Sequence, residues 1–207
     1  MDNYDIKKAR KALYAPTAKD FTLVDVPPIT FVMVDGHGDP NTVPAYLEAV
    51  QALFTVSYAV RALAKKALGR VHTVAPLEGL WSAAEYGDFT ARKKDAWDWT
   101  MMIAQPDWIT LEMFDKAAAT TRAKGLAALD LVRLEEYAEG LSAQILHVGS
   151  YDDEAPTLAR LHGEFLPRRG LVPTRRHHEI YLSDPRRVEP ARLKTVLRQP
   201  VSQLAPS

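Results

Sequence analysis

The sequence contains no cysteine. That excludes disulfides, thiolate nucleophiles and thiolate-held zinc, and it fits a reducing compartment. Net charge is also lacking: 26 Lys and Arg balance 26 Asp and Glu over 207 residues. No overall positive field is available to hold nucleic acid. No run approaches the roughly 18–20 apolar residues that span a bilayer. Met1 to Lys11 is polar with no apolar run behind it, so no signal peptide is read. The expectation is a cytoplasmic protein with neither nucleic acid nor membrane as partner. Glycine-rich phosphate loops of both common spacings are missing. The six histidines form no recognised ligand spacing. His177 and His178 are adjacent, and on a strand they point opposite ways and cannot share an ion. Neither a metal nor a cofactor is expected.

What is present is ordinary in bulk: 47% apolar and 25% charged residues, in a length that suits one good-sized domain or two halves sharing a core. Residues 1–27 read as an arm, with a short helix over Asp5 to Leu13 and a weak edge strand over Phe21 to Val26. Residues 28–200 read as the domain and 201–207 as a tail. Ile29 to Val34 is a strand, followed by the turn-rich Asp35-Gly36-His37-Gly38-Asp39-Pro40. A helix from about Pro44 to Ala67 follows, with Leu47, Val50, Leu53, Phe54 and Ala64 as its apolar stripe. Strands over Leu77 to Ala84 and Trp97 to Ala104 flank a polar connection, Glu85 to Lys94. Thr110 is an N-cap for a helix reaching about Lys124. Arg133 to Tyr137 and Ser142 to Val148 read as strands, Glu154 to Leu166 as a helix. Glu189 to Leu197 reads as a last helix and Pro200 onward as a frayed end.

The chemically informative stretch is His177-His178-Glu179-Ile180-Tyr181-Leu182-Ser183-Asp184-Pro185, a strand closed by Asp-Pro. Alternation puts His177, Glu179 and Tyr181 on one face. His178, Ile180 and Leu182 share the other, which is largely apolar and is expected to pack on helices. A carboxylate among Ile, Tyr and Leu is costly to bury unless it is paired or used. All four tryptophans lie between residues 81 and 108. Trp81, Trp99, Trp108 and Met101, with Tyr151 and Tyr181, offer an adaptable aromatic surface for a flat, apolar molecule. Glu179, His147 and Glu78 are the polar candidates within it. A tryptophan on a strand is most often core packing and a histidine at a strand end most often structural, whereas for Glu179 an arginine partner is the lesser alternative.

Val32 to Gly38 followed by a helix echoes Ile145 to Tyr151 followed by a helix. This low-identity repeat implies an α+β sandwich: a curved antiparallel sheet with helices on one side. Exposed sheet edges would let two chains pair as a homodimer.

Several stretches together resemble the GyrI-like small-molecule-binding proteins of the stand-alone kind. They are Pro76-Leu77-Glu78-Gly79-Leu80-Trp81, Trp97-Asp98-Trp99-Thr100-Met101-Met102-Ile103 with Gln105-Pro106, Glu139-Gly140, His147-Val148-Gly149-Ser150-Tyr151-Asp152-Asp153-Glu154, and His177 to Arg187. The resemblance runs from about residue 20 to residue 202. Ser82 is a departure, standing where many relatives carry an aromatic, and it bears on pocket shape. The resemblance implies a duplicated strand-helix-strand-strand module with a central ligand cleft. Its drug-sensing members place a carboxylate, matched by Glu179, against a lipophilic cation. Its stand-alone members include hydrolases of cyclopropabenzindole alkylators, which detoxify these drugs. In such an enzyme Glu179 would orient water as base, Tyr151 or Tyr181 would donate to the forming phenolate, and Trp81, Trp99, Trp108 and Met101 would hold the ring system. A drug-sequestering protein without catalysis uses the same residues, and a gyrase-inhibiting role is the third reading.

Overall fold

The structure is a computed structural model that describes residues 3–83 and 93–204. Most of the expected polar connection after Ala84 lies outside the described residues. The strands are, in chain order, β1 (Asn3–Tyr4), β2 (Thr22–Val26), β3 (Ile29–His37), β4 (Val71–His72), β5 (Leu77–Ala83), β6 (Trp97–Ala104), β7 (Arg133–Tyr137), β8 (Gly140–Val148), β9 (Leu171–Pro173), β10 (His177–Tyr181) and β11 (Lys194–Gln203). The chain divides into two compact units, one of residues 1–9 and 29–137, the other of residues 10–28 and 138–207. The expected helix over Asp5 to Leu13 is two single turns, Ile6–Ala9 and Lys11–Tyr14, one in each unit.

In the first unit β5, β6, β3 and β7 form an antiparallel sheet in that order. The helix Pro44–Leu68 crosses from β3 back toward β4, begins on a proline and stops at Gly69, whose φ of 63° places it in the left-handed region that glycine adopts without strain. Its buried stripe is Ala49, Ala52, Leu53, Val56, Val60 and Ala64. Small residues let the helix lie close to β3 and β6. Leu47, expected in the stripe, is 69% exposed. A second helix, Leu111–Thr121, packs beside the first, and the Thr110 side chain caps it by accepting from the Met113 amide at 3.2 Å. β1 pairs parallel with β4.

In the second unit β2, β8, β11 and β10 form an antiparallel sheet, with β9 on the far end of β11. One helical segment follows β8: an α-helix over Ala155–Arg160, a π-turn over Leu161–Phe165 and a last turn over Leu166–Arg168. Phe21, Ala143, Ile145, Leu161, Leu166, Leu171, Leu197 and Val201 form the core between this segment and the sheet.

Each unit therefore runs strand, helix, strand, strand, and the fold is α+β with antiparallel sheets and the longer helices packed on one face. The expected helix over Glu189 to Leu197 and the frayed end after Pro200 are corrected by β11, whose residues 195–201 are all buried. A strand buried on both faces loses the polar alternation that would identify it.

Candidate functional site

Glu179 occupies the middle of β10, opposite Leu197 of β11. Leu197 and its β8 partner Ile145 belong to the core under the helical segment. The His177, Glu179, Tyr181 face is thus the one the helix covers, the reverse of the sequence expectation. The apolar residues that attract the helix are on the neighbouring strands, which a single-strand alternation does not reveal.

On that face Tyr181 Oη donates a 2.7 Å hydrogen bond to Glu179 Oε2. His177 Nε2 lies 3.7 Å from Glu179 Oε1. The side chain of Glu179 keeps 15% of its exposure while that of His177 keeps 2%. Tyr151 opens the single turn Tyr151–Glu154 after β8, and its ring meets Tyr181 edge to face at 5.6 Å. Burial, then the charges of Glu154, Glu179 and Asp184, push the Tyr151 phenol up to about 12. It stays protonated and can only donate to an anion placed near it. Glu179 and Tyr181, expected on one strand face, are joined by Tyr151, a separate candidate in the sequence.

His147 is not a free polar group. Its Nε2 is 3.0 Å from the Ser150 carbonyl, an N–H that ties down the turn carrying Tyr151, while Ser150 Oγ donates to Asp153 at 2.7 Å. Its part is to shape the Tyr151 turn.

The opposite face of this sheet carries a buried ionic network that sequence reasoning missed. Arg198 donates to Glu139 Oε2 at 3.1 Å, to Gln144 Oε1 at 3.0 Å and to the Leu13 carbonyl at 2.6 Å. His178 Nδ1 is 3.1 Å from both Glu139 oxygens, and Gln144 donates to the Ala12 carbonyl at 2.7 Å. Burial alone would raise Glu139; His178 and Arg198 outweigh it and hold the carboxyl at about 2. The network straps residues 12 and 13 to β8 and β11.

In the first unit Trp81 and Trp99 face each other across β5 and β6, and Gly79 faces Met101. Tyr46, at the start of the long helix, meets Trp81 at 6.3 Å and Trp99 edge-on at 5.4 Å. Trp99 and Met101 are 1% and 0% exposed, and the Tyr46 contacts mark this as the helix-covered face. Two glycines make room for it. A β-carbon on Gly36, opposite Trp99, would overlap the indole ring, and one on Gly79 would come within 2.8 Å of Trp81 Nε1. Glu78, fully buried, points to the other face. Trp108 stands in a different group: Tyr4 at 5.0 Å, His72 at 6.3 Å, and the Arg70 guanidinium stacked 3.5 Å over its ring. Among the described residues no group of three or more metal-ligating acidic or histidine side chains forms, and no helix is long and apolar enough to cross a membrane.

The second unit thus sets a carboxylate and a phenol on the helix-covered face of an α+β strand-helix-strand-strand unit, with a second phenol on the adjoining turn. Residues 19–202 match the GyrI-like small-molecule-binding domain, and the chain belongs to that family. Among solved structures it is similar to an uncharacterized conserved protein from Listeria innocua, with 38% identity, 97% of this chain and 100% of that chain covered, and a TM-score of 0.88. It is similar also to a hydrolase encoded by lin2189 from the same organism, at 38% identity, the same coverage and a TM-score of 0.85. The EcmrR C-terminal domain shares the fold, with a TM-score of 0.57 at 14% identity, covering 89% of this chain and 98% of that one. A comparison with curated proteins gives no match.

Proposed function

We propose that this chain binds flat, lipophilic small molecules and hydrolyses cyclopropabenzindole-type alkylators. Glu179 is the base, Tyr181 its positioner and Tyr151 the donor to the product oxygen. The observation that carries this reading is the Tyr181–Glu179 hydrogen bond at 2.7 Å beside the protonated Tyr151. The similarity to Listeria proteins described as hydrolases supports catalysis. The family's description as a small-molecule-binding domain supports the second reading, sequestration without turnover.

The chemistry asks little of the protein. A water oxygen bonds to the ring methylene, the cyclopropane C–C bond breaks, and its electron pair moves into the dienone to make a phenolate. The water's proton passes to Glu179. Tyr181 donates its hydroxyl to Glu179, and Tyr151 beside it is assigned the donor's part toward the phenolate, which takes its proton as Glu179 is returned to the carboxylate. The net change is addition of one water. Positioning and a preset donor supply the rate gain.

Incubating the purified protein with a cyclopropabenzindole compound and following mass tests the reading. Protein-dependent gain of one water supports hydrolysis. Tight binding with unchanged mass moves the protein to sequestration. Trp81→Ala and Trp108→Ala, run alongside by tryptophan-quenching titration, test the expected aromatic contacts: weakened ligand binding supports them, and unchanged affinity removes them.

A further inference from the structure

The two oxygens of Glu179 are not equivalent. Oε2 takes the Tyr181 hydroxyl; Oε1 faces His177, two residues back on the same strand face, at 3.7 Å. His177 is itself buried, with 2% of its side chain exposed. Gln199 of β11 commits its amide N–H groups to the Arg175 carbonyl at 2.9 Å and the Pro200 carbonyl at 3.2 Å, and it lies behind the His177 ring without closing a hydrogen bond to it. With its N–H groups taken, the oxygen of Gln199 is the group that faces the imidazole. His162, from the π-turn Leu161–Phe165, adds its own charge influence on the same ring. π-turns recur where a helix must aim a side chain at a functional site.

We propose that His177, buried on the same strand face 3.7 Å from Oε1, is a positioning residue that sets the orientation and proton affinity of Glu179 from that side. This rests on the reading of Glu179 as the base. Tyr181 then bonds the carboxylate on one side while the His177 ring stands against the other, and the partly exposed Glu179 keeps one presentation toward solvent and ligand.

The groups that act on His177 are His162 on the π-turn, Glu179 on its own strand face, Gln199 on β11 and, from the opposite face of the sheet, His178 and Glu139. Burial first, then His162 and His178, hold the imidazole down to about 3 against the opposing pull of Glu139 and Gln199. His177 is therefore neutral wherever Glu179 would act as a base, and it acts as a fixed dipole, not as a competing cation.

The test compares two amide replacements in the full chain: His177→Gln, whose longer side chain reaches toward Glu179, and His177→Asn, which withdraws from it. The readouts are the Glu179 side-chain titration by ¹³C NMR and, with a cyclopropabenzindole probe, kcat, KM and the acid limb of kcat/KM. The proposal predicts that His177→Asn moves the Glu179 titration by half a pH unit or more and lowers kcat about tenfold with KM little changed, and that His177→Gln recovers most of both. A Glu179 titration identical in wild type and His177→Asn overturns it, whatever the turnover. Glu179→Gln separates the two claims. Full activity in that variant defeats the base reading, whereas an inactive Glu179→Gln beside a wild-type His177→Asn defeats only the positioning role.

Discussion

Tyr181 donates its phenolic hydrogen to Oε2 of Glu179 across 2.7 Å, from two residues further along the same strand. A hydrogen bond to a charged acceptor contributes about 1.5–3 kcal/mol, and it favours the ionised carboxylate. Tyr181→Phe should therefore lower kcat by about ten- to a hundredfold and move the acid limb of kcat/KM to higher pH. Steady-state kinetics across pH checks both. A Phe variant with an unmoved limb would mean that the bond only fixes Tyr181.

Arg198 and Glu139 make a second buried pair, and removing one side strands the other. Arg198→Ala should destabilise the protein by about 3–5 kcal/mol, because Glu139, 5% exposed, would keep His178 but lose the guanidinium, and Gln144 Oε1 and the Leu13 carbonyl would lose their donor. Denaturant unfolding monitored by circular dichroism measures it. A loss under about 1 kcal/mol would show that the network relaxes into water.

Stability should fall on mild acidification. His72 is lowered to about 4, by burial first and then the Arg61 charge, and His177 to about 3. Below about pH 6.5 the unfolded chain takes up these protons while the folded chain does not, so stability is full above that pH and declines as pH falls toward the folded values. Glu139, held at about 2, adds a further loss from about pH 4.5 downward, as the unfolded carboxyl is protonated first. Thermal unfolding from pH 7 to 4, with His72→Gln as control, checks the sign. The control should flatten the slope by up to one proton.

Gly36 and Trp99 form a register pair in which the missing side chain of one is the space for the other. Gly36→Ala should destabilise by about 1–3 kcal/mol as the indole is displaced. Near-ultraviolet circular dichroism reads the change in tryptophan packing directly. An unaltered spectrum would show that the strand shifts instead.

Much of this molecule was legible in its sequence. The strand Trp97–Ala104 carries its own aromatic and β-branched signal, and Thr110 announces the helix it caps. Glu179 stood out as a carboxylate in apolar company, and Tyr181 followed from a period of two. What escaped notice depended on partners distant in sequence. Arg198 reads as a surface residue until Glu139, Gln144 and the Leu13 carbonyl are brought to it, and its presence hid β11. Which face of β10 meets the helix is decided by Leu197 and Ile145, not by β10 itself. The placing of Gln199 and His162 about His177 required the register of β11 and a π-turn, and neither leaves a mark in composition or spacing.

The measurement that bears most directly on the account is turnover of a cyclopropabenzindole compound by wild type and Glu179→Gln, read by mass spectrometry beside a ligand-binding titration. The substitution keeps an acceptor for Tyr181, so the fold and affinity should persist. The account predicts gain of one water with wild type, and binding without mass change in the variant. Equal conversion by both proteins would contradict it.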